Sequence, residues 1–180
     1  MIIVASNPNR RHFQDHFMSF IPEKNRGQFC VVETMDQELG AVAWASERFN
    51  WFVLLQDSMW LTDPLEFSKK IVFHNTAYII GRPSCYSLIY SGRVLEQMEI
   101  PMPGQDKELS IGWETGFIDA YERVAVGMGF GKDGKRPVLY PEVTDGEALA
   151  AGRYYEMFGE KRLHLRSSDG VLNKGKLTYR

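Results

Sequence analysis

The sequence predicts a single α/β domain, an open and mostly parallel sheet with helices on both faces. Three observations carry this prediction. Short apolar runs alternate with helix-period segments over residues 1–58, in the order β-α-β-α-β. That alternation marks a parallel sheet with crossover helices. Residues 51–55 (WFVLL) are apolar on both faces, as a strand buried between two helical layers must be. The 180 residues make one domain at about 150 per domain, long enough to bury roughly 70% of the unfolded surface.

Each element follows from local chemistry. Residues 2–5 are an apolar run that meets Ser6-Asn7-Pro8-Asn9-Arg10. Asn7 suits a helix cap and Pro8 a first turn. Phe13, Phe17 and Phe20 follow at helical spacing, and Pro22 ends that helix. Residues 29–32 are a second strand, closed by Glu33-Thr34. A second helix runs from Asp36 through Leu39, Val42, Ala43 and Phe49. The third strand, 51–55, ends in Gln56-Asp57-Ser58. Asp63-Pro64 then opens a short helix, 76–80 (TAYII) reads as a fourth strand, and 88–98 reads as a helix. A helix over 113–126 turns Phe117, Ile118, Tyr121 and Ala125 inward. A glycine-rich loop at 127–134 and a strand over 137–140 come next. Thr144 and Glu147 form a capping box for a helix ending before Gly159. The tail, 160–180, holds six Lys/Arg against Glu160 and Asp169, a pattern of a solvated or frayed end.

Composition removes whole classes of function. A net charge of −2 argues against a general polyanion binder, although one basic tail suffices for a local nucleic-acid contact. With 44% hydrophobic and 24% charged residues, wholesale disorder is excluded. No apolar run approaches the ~18 residues of a membrane span. The start, Met1-Ile2-Ile3-Val4-Ala5, has no basic segment before it and is too short for a signal peptide. Cys30 and Cys85 sit in apolar surroundings without metal-ligand spacing, and there is no N-x-S/T sequon. The expected location is a reducing cytoplasm.

Several motifs fail on inspection. Gly129-x4-Gly134-Lys135 fits a phosphate-binding P-loop until Arg136, where Ser or Thr should hold magnesium, and it follows a helix rather than a strand. His12 and His16 share a helix face at i, i+4 but have no evident third ligand, so a solvated or half-buried face explains them. No G-x-S-x-G supports a serine triad. What remains is a set of carboxylates at strand ends: Glu33 and Asp36 after the second strand, Asp57 after the third. Open α/β sheets bind ligands in the crevice beyond those ends. Asp57 there could hold a hard divalent cation, or could cap the turn at Ser58 and Met59.

In this order of elements, the first 60 residues resemble the nucleotide-binding half of a GT-A fold glycosyltransferase of the family-two-like kind, itself a Rossmann-like sheet. The turn Ala5-Ser6-Asn7-Pro8-Asn9-Arg10 stands where that family has a P-T-Y-N-R-like turn and keeps the terminal Asn-Arg. The resemblance implies nucleotide contacts from Ser6, Asn9 and Arg10, and from Glu33 or Asp36 at the second strand's end. Val53-Leu54-Leu55-Gln56-Asp57-Ser58 matches the D-x-D region with Asp57 as its one carboxylate. It further implies Glu114 as catalytic base, with Asp119 second, and His164 completing a metal shell with Asp57. The implied cofactor is Mn²⁺ or Mg²⁺, and the implied donor a nucleoside-diphosphate sugar with an unspecified acceptor. Residues 1–60 would be the nucleotide half, and 61–180 the acceptor side and tail.

The chemistry suits that reading. A diphosphate leaving group needs its charge offset, and Arg166, Lys174 or Lys176 could contribute. Glu114 also suits a helix N-terminus for dipole reasons alone. Trp113, Tyr86 and Tyr90 could stack on a sugar or base, or fill the core. The incomplete D-x-D motif points to the alternative, a non-catalytic α/β nucleotide-binding or interaction module that retains the fold.

Overall fold

The structure, a computed structural model, describes residues 1–71, 89–102, 104, 106–130 and 143–177. In chain order the elements are β1 (Ile2–Ser6), α1 (Arg11–Ser19), β2 (Phe29–Glu33), α2 (Gln37–Ser46), β3 (Trp51–Gln56), β4 (Met59–Leu61) and α3 (Pro64–Lys70). They continue with β5 (Ile89–Ser91), α4 (Gly92–Leu95), α5 (Lys107–Gly127), α6 (Asp145–Ala150), β6 (Tyr154–Met157), β7 (Glu160–Arg166) and β8 (Leu172–Lys176). The β-α-β-α-β order predicted for residues 1–58 is present.

The first sheet has the order β2-β1-β3-β5. β1 runs parallel to both β2 and β3, while β5 joins β3 antiparallel. The period-2 pleat sends alternate residues to two cores. Ile3, Phe52, Leu54 and Tyr90 pack with α2 and α5 through Leu39 and Phe117. Ile2, Val4, Val53 and Leu55 pack on the opposite face with Phe17 and Phe67, from α1 and α3. Helices on both faces explain why β1 and β3 read as continuous apolar runs.

The expectation of one open sheet is corrected by a second one. β4, β8, β7 and β6 form an antiparallel sheet in that order. The chain leaves the first sheet at Asp57-Ser58, and β4 pairs with β8. The basic tail is therefore no frayed end. Its Lys and Arg residues mask a strand pattern in which Leu163 and Leu165 are buried against Ala148 of α6. Thr144 and Glu147 do form the capping box, but α6 stops at Ala150. Gly152 has φ of 60°, the Gly152 N–H donates to Leu149 O, and the Arg153 N–H donates to Ala148 O. That pairing terminates a helix.

Residues 88–98 also depart from the predicted helix. Residues 89–91 are β5, and α4 occupies only four positions. Ile89 and Tyr90 are drawn into the two cores on opposite faces. Gly92 marks the change, because its N–H donates to Asn50 O. α5 begins six residues before the expected 113, where the Asp106 side chain accepts from the Leu109 N–H at 2.9 Å. Phe117, Ile118, Tyr121 and Ala125 are buried as expected. The strands expected at 76–80 and 137–140, Leu88, Cys85, Tyr86 and the Gly134-Lys135-Arg136 stretch lie outside the described residues. Among the described residues, no helix is long and apolar enough to cross a membrane.

Candidate functional site

The connection from β1 to β2 runs to one side of β1, and the connection from β2 to β3 returns to the other. A crevice therefore opens between the C-terminal ends of β1 and β3, where doubly wound sheets hold ligands. Register aligns those ends: Ser6 lies opposite Glu33, and Ala5 opposite Gln56. Asp57 follows directly, and its N–H donates to Ala5 O.

Beyond Ser6 the chain turns sharply. The Asn7 side chain accepts from the Asn9 N–H at 2.9 Å, and Pro8 sits at the first position of a 3-10 turn, Pro8–Arg10, which leads into α1. This turn brings Arg10 back over the end of β3. The result is a cleft of about 180 Å³ lined by Ala5, Ser6, Asn7, Arg10, Glu38 and Asp57.

Asp57 is the centre of the cleft and is 1% exposed. One carboxylate oxygen, Oδ2, accepts from Ser6 Oγ at 2.7 Å. The other, Oδ1, pairs with Arg10 Nη2 at 3.0 Å. Burial pushes the Asp57 carboxyl up from its ordinary range, and Glu38 adds to this. Arg10, the Ser6 hydrogen bond and Arg162 pull the other way, and burial wins.

Two guanidiniums converge here from different elements. Arg10 lies 4.2 Å from the centroid of the Phe13 ring, and Arg162, from β7, lies 4.7 Å from the same centroid. Arg162 is buried and braced. Its Nε and Nη2 donate to Glu160 Oε2, and its Nη1 donates to Gly175 O at 3.3 Å. Glu38 accepts from Gln56 Nε2 at 2.7 Å, which fixes its carboxylate beside the crevice.

The structure thus brings together Ser6, Arg10 and Asp57. Asn9 serves the turn through its backbone. Glu33 accepts from Gln14 Nε2 at 2.7 Å, and Asp36 Oδ1 accepts from the Gly104 N–H at 2.7 Å. Glu33 ends β2 and Asp36 stands just before α2, and neither lines the cleft. Glu114 and Asp119 are both on α5. Asp119 is half-buried, and the side chains of Glu114 and Trp113 fall outside the described residues. Tyr90 is fully buried between Phe52, at 5.4 Å, and Tyr121, so it is core and has no open face for a sugar. Arg166 is exposed, and Lys176 is paired with Asp145.

His164 lies on β7 with its Nε2 3.0 Å from Asn173 Oδ1 and its ring stacked 5.3 Å from Trp60. Among the described residues, no group of three or more His, Cys, Asp or Glu is arranged to hold a metal ion. A divalent ion at Asp57 would share its two oxygens with the Ser6 hydroxyl and the Arg10 guanidinium, the latter a like charge at contact distance. The donor set at Asp57 therefore does not fit a resident Mn²⁺ or Mg²⁺.

Sequence reasoning missed Glu38 and Arg162. Glu38 carried a usable signal, since it lies one helical turn beyond the acidic end of β2. Arg162 was hidden within the charge of the tail. Comparison of the chain with family models, with curated proteins and with solved structures gave no match.

Proposed function

We propose that the chain binds a nucleoside-diphosphate sugar in the β1/β3 crevice and transfers the sugar to an acceptor hydroxyl, as a compact GT-A-like glycosyltransferase. The observation that carries this reading is the buried Asp57 carboxylate, tied to Ser6 and Arg10 at the ends of β3 and β1. A fixed charged cluster at a topological switch point is what phosphate-bearing ligands require of such a sheet.

Arg10 meets the diphosphate, whose negative charge grows as the bond from the sugar's anomeric carbon to the phosphate oxygen breaks. The acceptor oxygen forms the new bond to that carbon and gives its proton to a base. Glu114 of α5 is the proposed base for an inverting transfer, with Asp119 second. The cleft of about 180 Å³ is smaller than the ~300 Å³ at which small-molecule pockets begin, so it fits the phosphate-bearing part of the donor alone.

A thermal-shift panel of UDP-, GDP- and dTDP-sugars tests the reading. A donor at about 100 times its Kd stabilises by ~2.7 kcal/mol, which moves the midpoint by roughly 5–10 °C in a chain of this size. No shift with any donor would refute it. One observation favours a second reading, a non-catalytic nucleotide-binding module: both oxygens of Asp57 are already satisfied within the protein. Hydrolysis of a bound donor, with water as acceptor, separates the two. Turnover supports the enzyme, and binding without turnover supports the module.

A further inference from the structure

We infer that Arg10 takes the place of a divalent cation in this crevice, binding the diphosphate directly, and that Asp57 is the residue that positions Arg10 rather than a metal ligand. The inference rests on the nucleotide-binding reading above and deepens it.

The first argument is occupancy. Asp57 is the one member of the D-x-D region that carries a charge, and its two oxygens are committed to Ser6 and Arg10. The second argument is charge. Arg10 is within ion-pair distance of Asp57, and Arg162 acts on the same carboxylate. A doubly charged ion on that carboxylate would stand beside a guanidinium at a few ångströms, with Glu38 as the one further carboxylate among the described residues lining the cleft. Hard cations of this kind ask instead for several oxygen donors.

The third argument is the form of Arg10 itself. Its side chain is 40% exposed, so it is open to the cleft. One of its five N–H donors is used on Asp57, and the planar fork of the remainder matches a phosphate. Two contacts hold that fork still: the Asp57 oxygen at 3.0 Å and the Phe13 ring at 4.2 Å. A guanidinium fixed before the ligand arrives loses little freedom on binding. Arg162, braced by Glu160 and Gly175 on the same ring, supports Phe13 from the second sheet. A buried carboxylate with an exposed arginine on one oxygen is thus a device for aiming a cation outward.

Titration calorimetry with UDP, GDP and dTDP on the full chain tests this, in EDTA and again with Mn²⁺. At least one of the three is expected to bind in EDTA, with Mn²⁺ changing its Kd by less than about threefold. Arg10→Ala is expected to weaken that binding by about tenfold or more, the scale of a lost charge-assisted hydrogen bond. Arg10→Lys keeps the charge without the fork and should fall between. Because Lys also keeps an aliphatic stem over Phe13, it stands in if the Ala variant fails to fold. Asp57→Asn should weaken binding less than Arg10→Ala, because Arg10 keeps its charge and its place over the Phe13 ring. Binding that needs Mn²⁺ would overturn the inference and leave the nucleotide reading standing. Binding in EDTA that Arg10→Ala and Arg10→Lys leave unchanged would overturn it too. No binding of any nucleotide in either condition would remove the nucleotide reading, and this inference with it.

Discussion

Replacing Asp57 with Asn should make the protein more stable at neutral pH. The sign comes from the environment of the carboxylate. Burial raises its folded-state pKa above the ordinary 3.8, despite the opposing effects of Arg10 and Ser6. Stability from such a group is complete below the unfolded value and is lost as pH rises through the folded one. Above that point the native protein carries a buried charge whose desolvation exceeds what its partners return. Asn removes the charge, nearly preserves the shape and still accepts from Ser6 Oγ. The abandoned Arg10 is 40% exposed and returns to water, so no uncompensated charge stays buried. Exchanging a buried ion pair for neutral groups stabilises by roughly 1–4 kcal/mol, and an amide that must itself be buried belongs at the low end, ~1 kcal/mol. For this chain length that is a rise in midpoint of roughly 2–4 °C. Thermal unfolding followed by circular dichroism from pH 4 to pH 8 checks both features: the variant's advantage and its growth with pH. A loss of more than about 4 °C at neutral pH, or a gap that ignores pH, would refute the account of Asp57 as a carboxylate whose burial costs stability.

Three further outcomes follow from the fold. Tyr121→Phe should cost ~1–3 kcal/mol in urea unfolding, because the Ser91 N–H of β5 donates to Tyr121 Oη at 2.6 Å in the core and would lose its acceptor. Gly92→Ala should cost ~1–3 kcal/mol with an unchanged denaturant slope, since a Cβ there would meet Phe49 O at 2.7 Å and backbone cannot step aside. Burial pushes the His16 imidazole below its ordinary 6.5, among Phe20, Trp60, Tyr155 and Phe158 and with no hydrogen-bond partner for Nε2 among the described residues. The unfolded chain therefore takes up that proton first, and stability should decline as pH drops below about 6.5. His16→Leu should flatten that decline in melts from pH 8 to pH 5.

The first 58 residues were legible because each element there obeys a local rule. Asn7-Pro8 starts a helical turn, the phenylalanines of α1 keep helical spacing, and β3 is apolar throughout because both its faces are covered. The second sheet was illegible for an equally physical reason. β4 is three residues long, and its partner, β8, lies more than a hundred positions away. β7 keeps Leu163 and Leu165 on one face, while the other holds Arg162, which is buried as well, and His164, which is half-buried. A count of charges reads that strand as solvent-exposed. β5 reads as helix in the sequence because three residues are too few to show a period, and what decides them is the burial of Ile89 and Tyr90 on opposite faces.

The candidate site divides along the same line. That Asp57 stands at the end of β3 follows from the apolar run before it. What Asp57 does there depends on Arg10 and Ser6, 47 and 51 positions back, and thus on the register of β1 against β3. A strand-end carboxylate can hold a cation from solution or one from the protein itself, and the two look alike in one strand's sequence. The difference lies in the neighbours. Gln56 and Ser58 supply no second charge, so the turn after β3 offers one carboxylate, and Arg10 is the cation paired with it. Arg10 brings that charge on a side chain already held by Phe13, at no cost in capturing an ion from solution. Under the proposed nucleotide-binding reading, the lone carboxylate after β3 and the Asn-Arg that ends the β1 turn are one feature: the turn supplies the cation that the carboxylate holds.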